Sequence, residues 1–428
     1  MNLLPKAFGT RPRLACEIAA GGVVAARSAE PGSPLTAVSR VELAEGAIVP
    51  GLRPGNVADR VATIAAVRRA LEQVGARPNA RNTDVTLIIP DGAVRVLLLD
   101  FDALPSKLTE ALPIVRFRLK RLVPFDTEDA MVSYQVMTST RGAVRVLAVA
   151  MPRDVLSDYE TVAREAGFEP GAVLPSTLAA LAGLPESESG TLAVNVYPSA
   201  VTTAIVRGGI LLLHRTLELT DGVTSQASAV AANDYAARET ASGLDRENLL
   251  PLVNREESAE EWAAQEPLPE HGHFPYAAES VTDDLQAEIH NSFLTGPPAA
   301  EAFDQGLARE EFVRESFPSL ADLAAPGPEE ETLVHTLTPD AQAEEFARAV
   351  SVAVAYFEDV LSAPPEILLS AGPLGAERLS RTLQEQGLAQ ELGLHFRELV
   401  DPGALAAEAT TASVPRSLLA GVVGALRS

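Results

Sequence analysis

Between residues 241 and 340 the chain carries 22 acidic residues against four arginines and no lysine, which accounts for −18 of the net −24 of its 428 residues. Proline and glycine punctuate this stretch, in runs such as EESAEEWAAQEPLPEHGH and APGPEEET. So little apolar surface cannot offset the entropy of ordering a backbone. Residues 250–332 are therefore expected to form an acidic, low-complexity insertion, disordered or loosely helical. Folded cores must come from what precedes and follows it. Those flanks share a charge of only −6, and with 46% hydrophobic residues in the whole chain they are long enough for two domains.

Several function classes drop out at once. Nucleic-acid binding needs a basic stripe that displaces counterions, and none is visible. The single cysteine, Cys16, rules out an internal disulfide or a CxxC metal site. It lies in an apolar strand, where a thiol behaves as a small hydrophobe. No run reaches the roughly 18–20 apolar residues of a membrane span. The start, MNLLPKAFGTRPR, lacks the apolar centre of a signal peptide, so a cytoplasmic location is expected. The sequence has no G-x4-G-K-[ST], H-E-x-x-H or G-x-S-x-G motif, so catalytic residues are not assigned. His271 and His273 form an H-G-H pair without a third ligand, which reads as a solvated surface pair and no metal site. Trp262 and Phe274 are candidate anchors for a partner. The islands DDLQAEIHNSFL and EEFVRESFPSLADL have the pattern of helices that form on a partner. His214 and Arg215 end a strand, and His214 reads as a structural histidine.

The ordered parts alternate strand and helix signals. Residues 14–28, LACEIAAGGVVAARS, read as two strands around a Gly21-Gly22 turn. Residues 57–75 place Val57, Val61, Ile64, Val67, Leu71 and Val74 on one helical face, and VTLIIP follows as a buried strand. Val94–Val136 reads as strand, amphipathic helix, strand, with Leu108, Ala111, Leu112, Val115, Leu119 and Leu122 along one face. Pro113 predicts a kink or a restart in that helix. A helix beginning at Arg153 or Asp154 is closed by Gly167. Residues 191–219 give three strands with a Gly208-Gly209 turn, echoing the first hairpin, and a helix is expected over 220–240. A long helix over 340–361 and a strand at 367–370 follow the acidic stretch.

The order LP, amphipathic helix, PF, acidic residues and YQV, followed by VRVLAVAMPRDVLSDYETVAREAGFEP, resembles the type IV pilus assembly protein PilM, a relative of the cell-division protein FtsA. The resemblance extends in order over residues 14–240 and 340–428. It implies an α/β, actin-like fold: a duplicated, ribonuclease H-like core in two lobes with a small inserted αβ subdomain of the 1C type. The implied divisions are 1–90, 160–188 and 412–428 for the first lobe, 91–159 for the subdomain, 189–249 and 333–411 for the second lobe, and 250–332 for the acidic insertion. ATP with magnesium is the cofactor such a fold implies. Its candidate contacts here are Glu17, Gly21, Gly22, Asn195, Ser199, Ser370 and Gly372.

Those motifs depart from the family pattern. Glu17 stands for an aspartate, Ala19 for a glycine, Val24 for a lysine, Asn195 for an aspartate, Tyr197 for a glycine and Ala371 for a glycine. The resemblance thus implies a degenerate nucleotide cleft and a scaffold of the inner-membrane platform. Its partners would be the N-terminal tail of a PilN-like membrane protein and other platform and motor components, so that the protein meets the membrane only through partners. The tail would lie in a groove of Phe101, Leu104, Leu108, Leu112, Val115 and Leu119. An active ATPase regulating pilus assembly, or a component like the type II secretion protein GspL, is the alternative. MNLLP at the start is also similar to the docking tail of PilN proteins.

Overall fold

Two three-stranded meanders organise the chain, and each seeds its own sheet. In the first, β1 (Leu14–Ala19), β2 (Gly22–Ser28) and β3 (Leu35–Glu42) are antiparallel neighbours. The strand β4 (Asp84–Ile89) runs parallel beside β1, and β8 (Glu169–Pro175) runs parallel beside β4. In the second, β9 (Thr191–Tyr197), β10 (Ala200–Arg207) and β11 (Ile210–Glu218) repeat the meander. Here β14 (Ile367–Ala371) lies parallel beside β9, and β15 (His395–Glu398) parallel beside β14. The orders are β16-β3-β2-β1-β4-β8, where β16 is Leu405–Thr411, and β11-β10-β9-β14-β15. The echo between residues 14–28 and 191–219 is thus a repeated topology.

These arrangements belong to a computed structural model that describes residues 12–30, 32–80, 84–185, 187–221, 335–336, 339–388, 393–411 and 414–427. The acidic insertion with its two islands, Trp262, Phe274 and the His271–His273 pair lie outside the described residues, as does the MNLLP start. Thr220–Asp221, expected to open a helix, instead form a short strand, β12, paired with His335–Thr336 (β13). The rest of that expected helix lies outside the described residues.

Burial explains why β1 and β9 read as nearly unbroken apolar runs: both faces of each are covered. Leu14, Cys16 and Ile18 point into a core with α1 (Arg60–Gln73) and α3 (Arg153–Glu165). Ala15 faces the opposite core, which holds α4 (Ser176–Ala182) and α7 (Ala420–Arg427). In the second sheet Leu192, Val194 and Val196 pack on α5 (Pro339–Leu361) and α6 (Gly375–Glu385). The period of two then turns Glu17 and Asn195 away from these cores and toward the junction between the sheets.

The helix α1 corrects the sequence reading. Asp59 caps it, accepting from Ala62 N at 2.9 Å. Its inner face is Thr63, Ala66, Val67, Ala70 and Leu71, whereas Val61 is 80% exposed. At about 100° per residue Val61 falls on the side of the helix opposite that face, while Thr63 in the same turn is buried, so grouping Val61 with Ile64 and Val67 placed it wrongly.

Residues between β4 and β8 build a separate layer. Its strands β5 (Arg95–Phe101), β6 (Ala130–Thr140) and β7 (Ala143–Pro152) pair antiparallel in the order β5-β7-β6. The helix α2 (Leu108–Leu119) covers one face through Ala111, Val115 and Leu119. It runs on through exposed Pro113 without restarting. Arg116 donates to the carbonyls of Thr127 and Ala130, which ties the loop after α2 to the start of β6.

Candidate functional site

Seven polar side chains meet where the two sheets face each other, and they bond to one another. Glu17 of β1 is 2% exposed and Asp91, in the 3-10 turn after β4, is 6% exposed. Ser176 and Tyr197 hydroxyls donate to Glu17 Oε1 at 2.7 and 2.5 Å. Asp91 accepts from Thr177 N at 3.1 Å, Thr177 Oγ1 at 2.5 Å, Thr202 Oγ1 at 3.1 Å and Asn195 Nδ2 at 3.5 Å. Asn195 Nδ2 also donates to Ser176 Oγ at 3.1 Å and Thr177 Oγ1 at 3.0 Å.

The logic of donors assigns the Asn195 amide its role. Each hydroxyl spends its only proton on a carboxylate, so it must accept from a neighbour. The NH₂ of Asn195 supplies both, bridging Glu17 and Asp91 through Ser176 and Thr177. Its Oδ1 has no partner among the described residues and faces Gly372, where Val196 O and Asn195 Oδ1 leave no room for a Cβ. On the far side of Glu17, Oε2 abuts the α-carbon of Gly421 too closely for any side chain there.

Burial, reinforced by Asp91, pushes Glu17 above the ordinary carboxyl range, and the Tyr197 and Ser176 hydrogen bonds oppose it. Burial and the Glu17 charge drive the Tyr197 phenol far up. His214 of β11 is pushed down by burial, against the pull of Asp91, and its Nε2 has no partner among the described residues. A carboxyl whose pKa rises on folding stabilises the protein at low pH, and that contribution is lost as pH climbs through the folded value. Glu17→Gln is therefore expected to gain stability relative to the parent between pH 5 and pH 8. Urea unfolding at the two pH values checks this, and a constant difference would refute it.

The remaining cleft positions scatter. Gly21 and Gly22 turn the β1–β2 hairpin, and Gly22 takes φ 143° against Val41 O. Ser199 sits in the β9–β10 turn and accepts from Leu219 N at 2.8 Å through its carbonyl. Ser370 Oγ is fully buried with no partner among the described residues. The N-terminus of α6 is already engaged, since Ala376 N donates to Glu398 Oε1 at 2.9 Å. Among the described residues, no group of three or more His, Cys, Asp or Glu is placed to hold a metal. Sequence reasoning missed Asp91, Ser176, Thr177, Thr202 and Glu398. The Ser-Thr pair opening the otherwise apolar STLAALA helix was the available signal.

The surface of the inserted layer differs. Phe101, Leu104 and Leu112 are partly buried around the α2 core, and Val115 and Leu119 are 0% exposed beneath them. Leu108 is 63% exposed at the helix start, and Ile114 and Phe117 also face outward at 40% and 69%. Arg121 lies 5.9 Å over the Phe117 ring.

No protein-family model and no curated protein sequence matches the chain. Its coordinates are similar to those of a PilM–PilN type IV pilus biogenesis complex, with a TM-score of 0.56 at 17% identity over 97% of this chain and 99% of that one. The chain has an actin-like fold. The cytoplasmic domain of EpsL, an inner-membrane component of the Vibrio cholerae type II secretion system, gives 0.32 at 15% identity over 48% of this chain and 71% of that one. The ethanolamine utilization protein EutJ from Carboxydothermus hydrogenoformans gives 0.39 at 10% identity over 100% and 91%. In the actin-like frame, Glu17 and Asn195 stand on the corresponding strands, β1 and β9, of the two meanders.

Proposed function

We propose that this protein is a scaffold of a pilus-type assembly platform, working through its inserted β5–β7–β6 layer and not through nucleotide turnover. The carrying observation is a contrast: the junction between the sheets is filled by the chain's own side chains, whereas the layer keeps apolar surface around Phe101, Leu104, Leu108 and Leu112. A magnesium nucleotide does not fit the residues present. Glu17 is taken up by Ser176 and Tyr197, Asn195 carries no charge, and Glu398 already caps the α6 amide.

The proposed occupant of the groove is the N-terminal tail of a PilN-like membrane protein. Among the described residues no helix is long and apolar enough to cross a membrane, so in this reading such a partner supplies the membrane contact. Titrating a synthetic tail peptide against the protein tests it. Leu104→Asp, with its melting temperature checked, is expected to weaken binding about tenfold or more, as loss of an apolar anchor does. Equal affinity in the parent and the variant would overturn the groove assignment.

A further inference from the structure

We infer that Asp91 is a positioning residue that fixes the β5–β7–β6 layer to the second sheet, so that the side-chain network in the cleft sets the geometry of the groove. Asp91 ends the link from β4, and Arg95, four residues on, begins β5. Although the layer is inserted in the first lobe's sequence, both root residues bond into the second sheet or the helix leading to it. Asp91 takes donors from Thr177 of α4, Asn195 of β9 and Thr202 of β10. Arg95 Nη2 donates to Glu218 Oε1 of β11 at 3.0 Å.

Packing makes the same connection. Leu147 of β7 shares a core with Leu178 and Leu181 of α4 and with Ala204 and Leu211 of the second meander, and Val96 and Leu98 of β5 pack against it. The face of the layer opposite α2 is thus docked on the second sheet, while β5 ends at Phe101, beside the proposed groove. A buried carboxylate with four donors, and with no salt-bridge partner among the described residues, holds this root more stiffly than a neutral side chain would. Loosening it lets the layer shift as a body, and a bound tail meets a groove of altered width.

The inference rests on the proposed function for the identity of the ligand, but its first readout does not. In Asp91→Asn and, separately, Arg95→Gln, amide exchange of β5, β6 and β7 is expected to quicken about tenfold while that of α1 stays unchanged. Affinity for the tail peptide is expected to fall about tenfold in Asp91→Asn, the loss of one or two hydrogen bonds to a charge. Arg95→Gln removes one partly buried ion pair at the edge of the layer, so it reports even if Asp91→Asn fails to fold. Exchange that quickens in protein that binds no peptide supports the coupling and removes the function proposed above. Unchanged exchange in both variants overturns the coupling, whatever the peptide does.

Discussion

Asn195→Asp is expected to lower the unfolding free energy by about 3–5 kcal/mol, the scale for an uncompensated buried charge. The substitution restores the residue type of the pattern that the sequence resembles, yet here it removes two donors. Ser176 and Thr177 lose the amide that lets them donate to Glu17 and Asp91, and a third carboxylate enters a site that holds two. Chemical denaturation measures the loss. The double variant Asn195→Asp, Glu17→Gln should recover part of it, because one of the three acids is then neutral. A neutral effect of Asn195→Asp would mean that the network is not the structural unit described.

Gly424→Ala should be comparably damaging, at about 3 kcal/mol or more, for a reason of space. The helices α4 and α7 cross at Gly183 and Gly424, and a methyl on Gly424 would enter the carbonyl of Ala179. Neither helix can retreat freely. Ala179 and Ala180 are in the same core as Val422 and Val423, and Gly421 is against Glu17. Overpacking against backbone cannot be relieved by a rotamer change. Gly403→Ala, where a Cβ would meet nothing within 4 Å, is the control and should leave the melting temperature nearly unchanged.

Much of the architecture is legible in the residues because its strands are buried on both faces. LACEIA and TLAVNVY followed by turn residues could be little else than hairpins, and their repetition forecasts the paired meanders. Within α2, Ala111, Val115 and Leu119 follow a helical period and are all buried. Position along an element is less legible. Val61 lies on the outer side of α1 although it precedes Ile64 by a helical spacing, and Leu108 keeps the period of α2 yet is exposed because it is the first residue of the helix. The site was visible only as departures from a pattern. Tyr197 reads as an obstacle to close backbone approach, and its compensating partner, Glu17, lies 180 residues away. Asp91 followed by glycine reads as a turn, and nothing local shows that three elements will aim donors at it. Long-range polar bonds of this kind leave no periodic trace.

Glu17, Asn195 and Tyr197 therefore look eroded one at a time and coherent together: each is bonded to other side chains of the same network. The inserted layer keeps its apolar surface while the cleft closes on itself. Titration calorimetry with ATP and magnesium tests that contrast most directly. The expected result is no heat of binding and no phosphate released. Submicromolar binding accompanied by turnover would contradict the account.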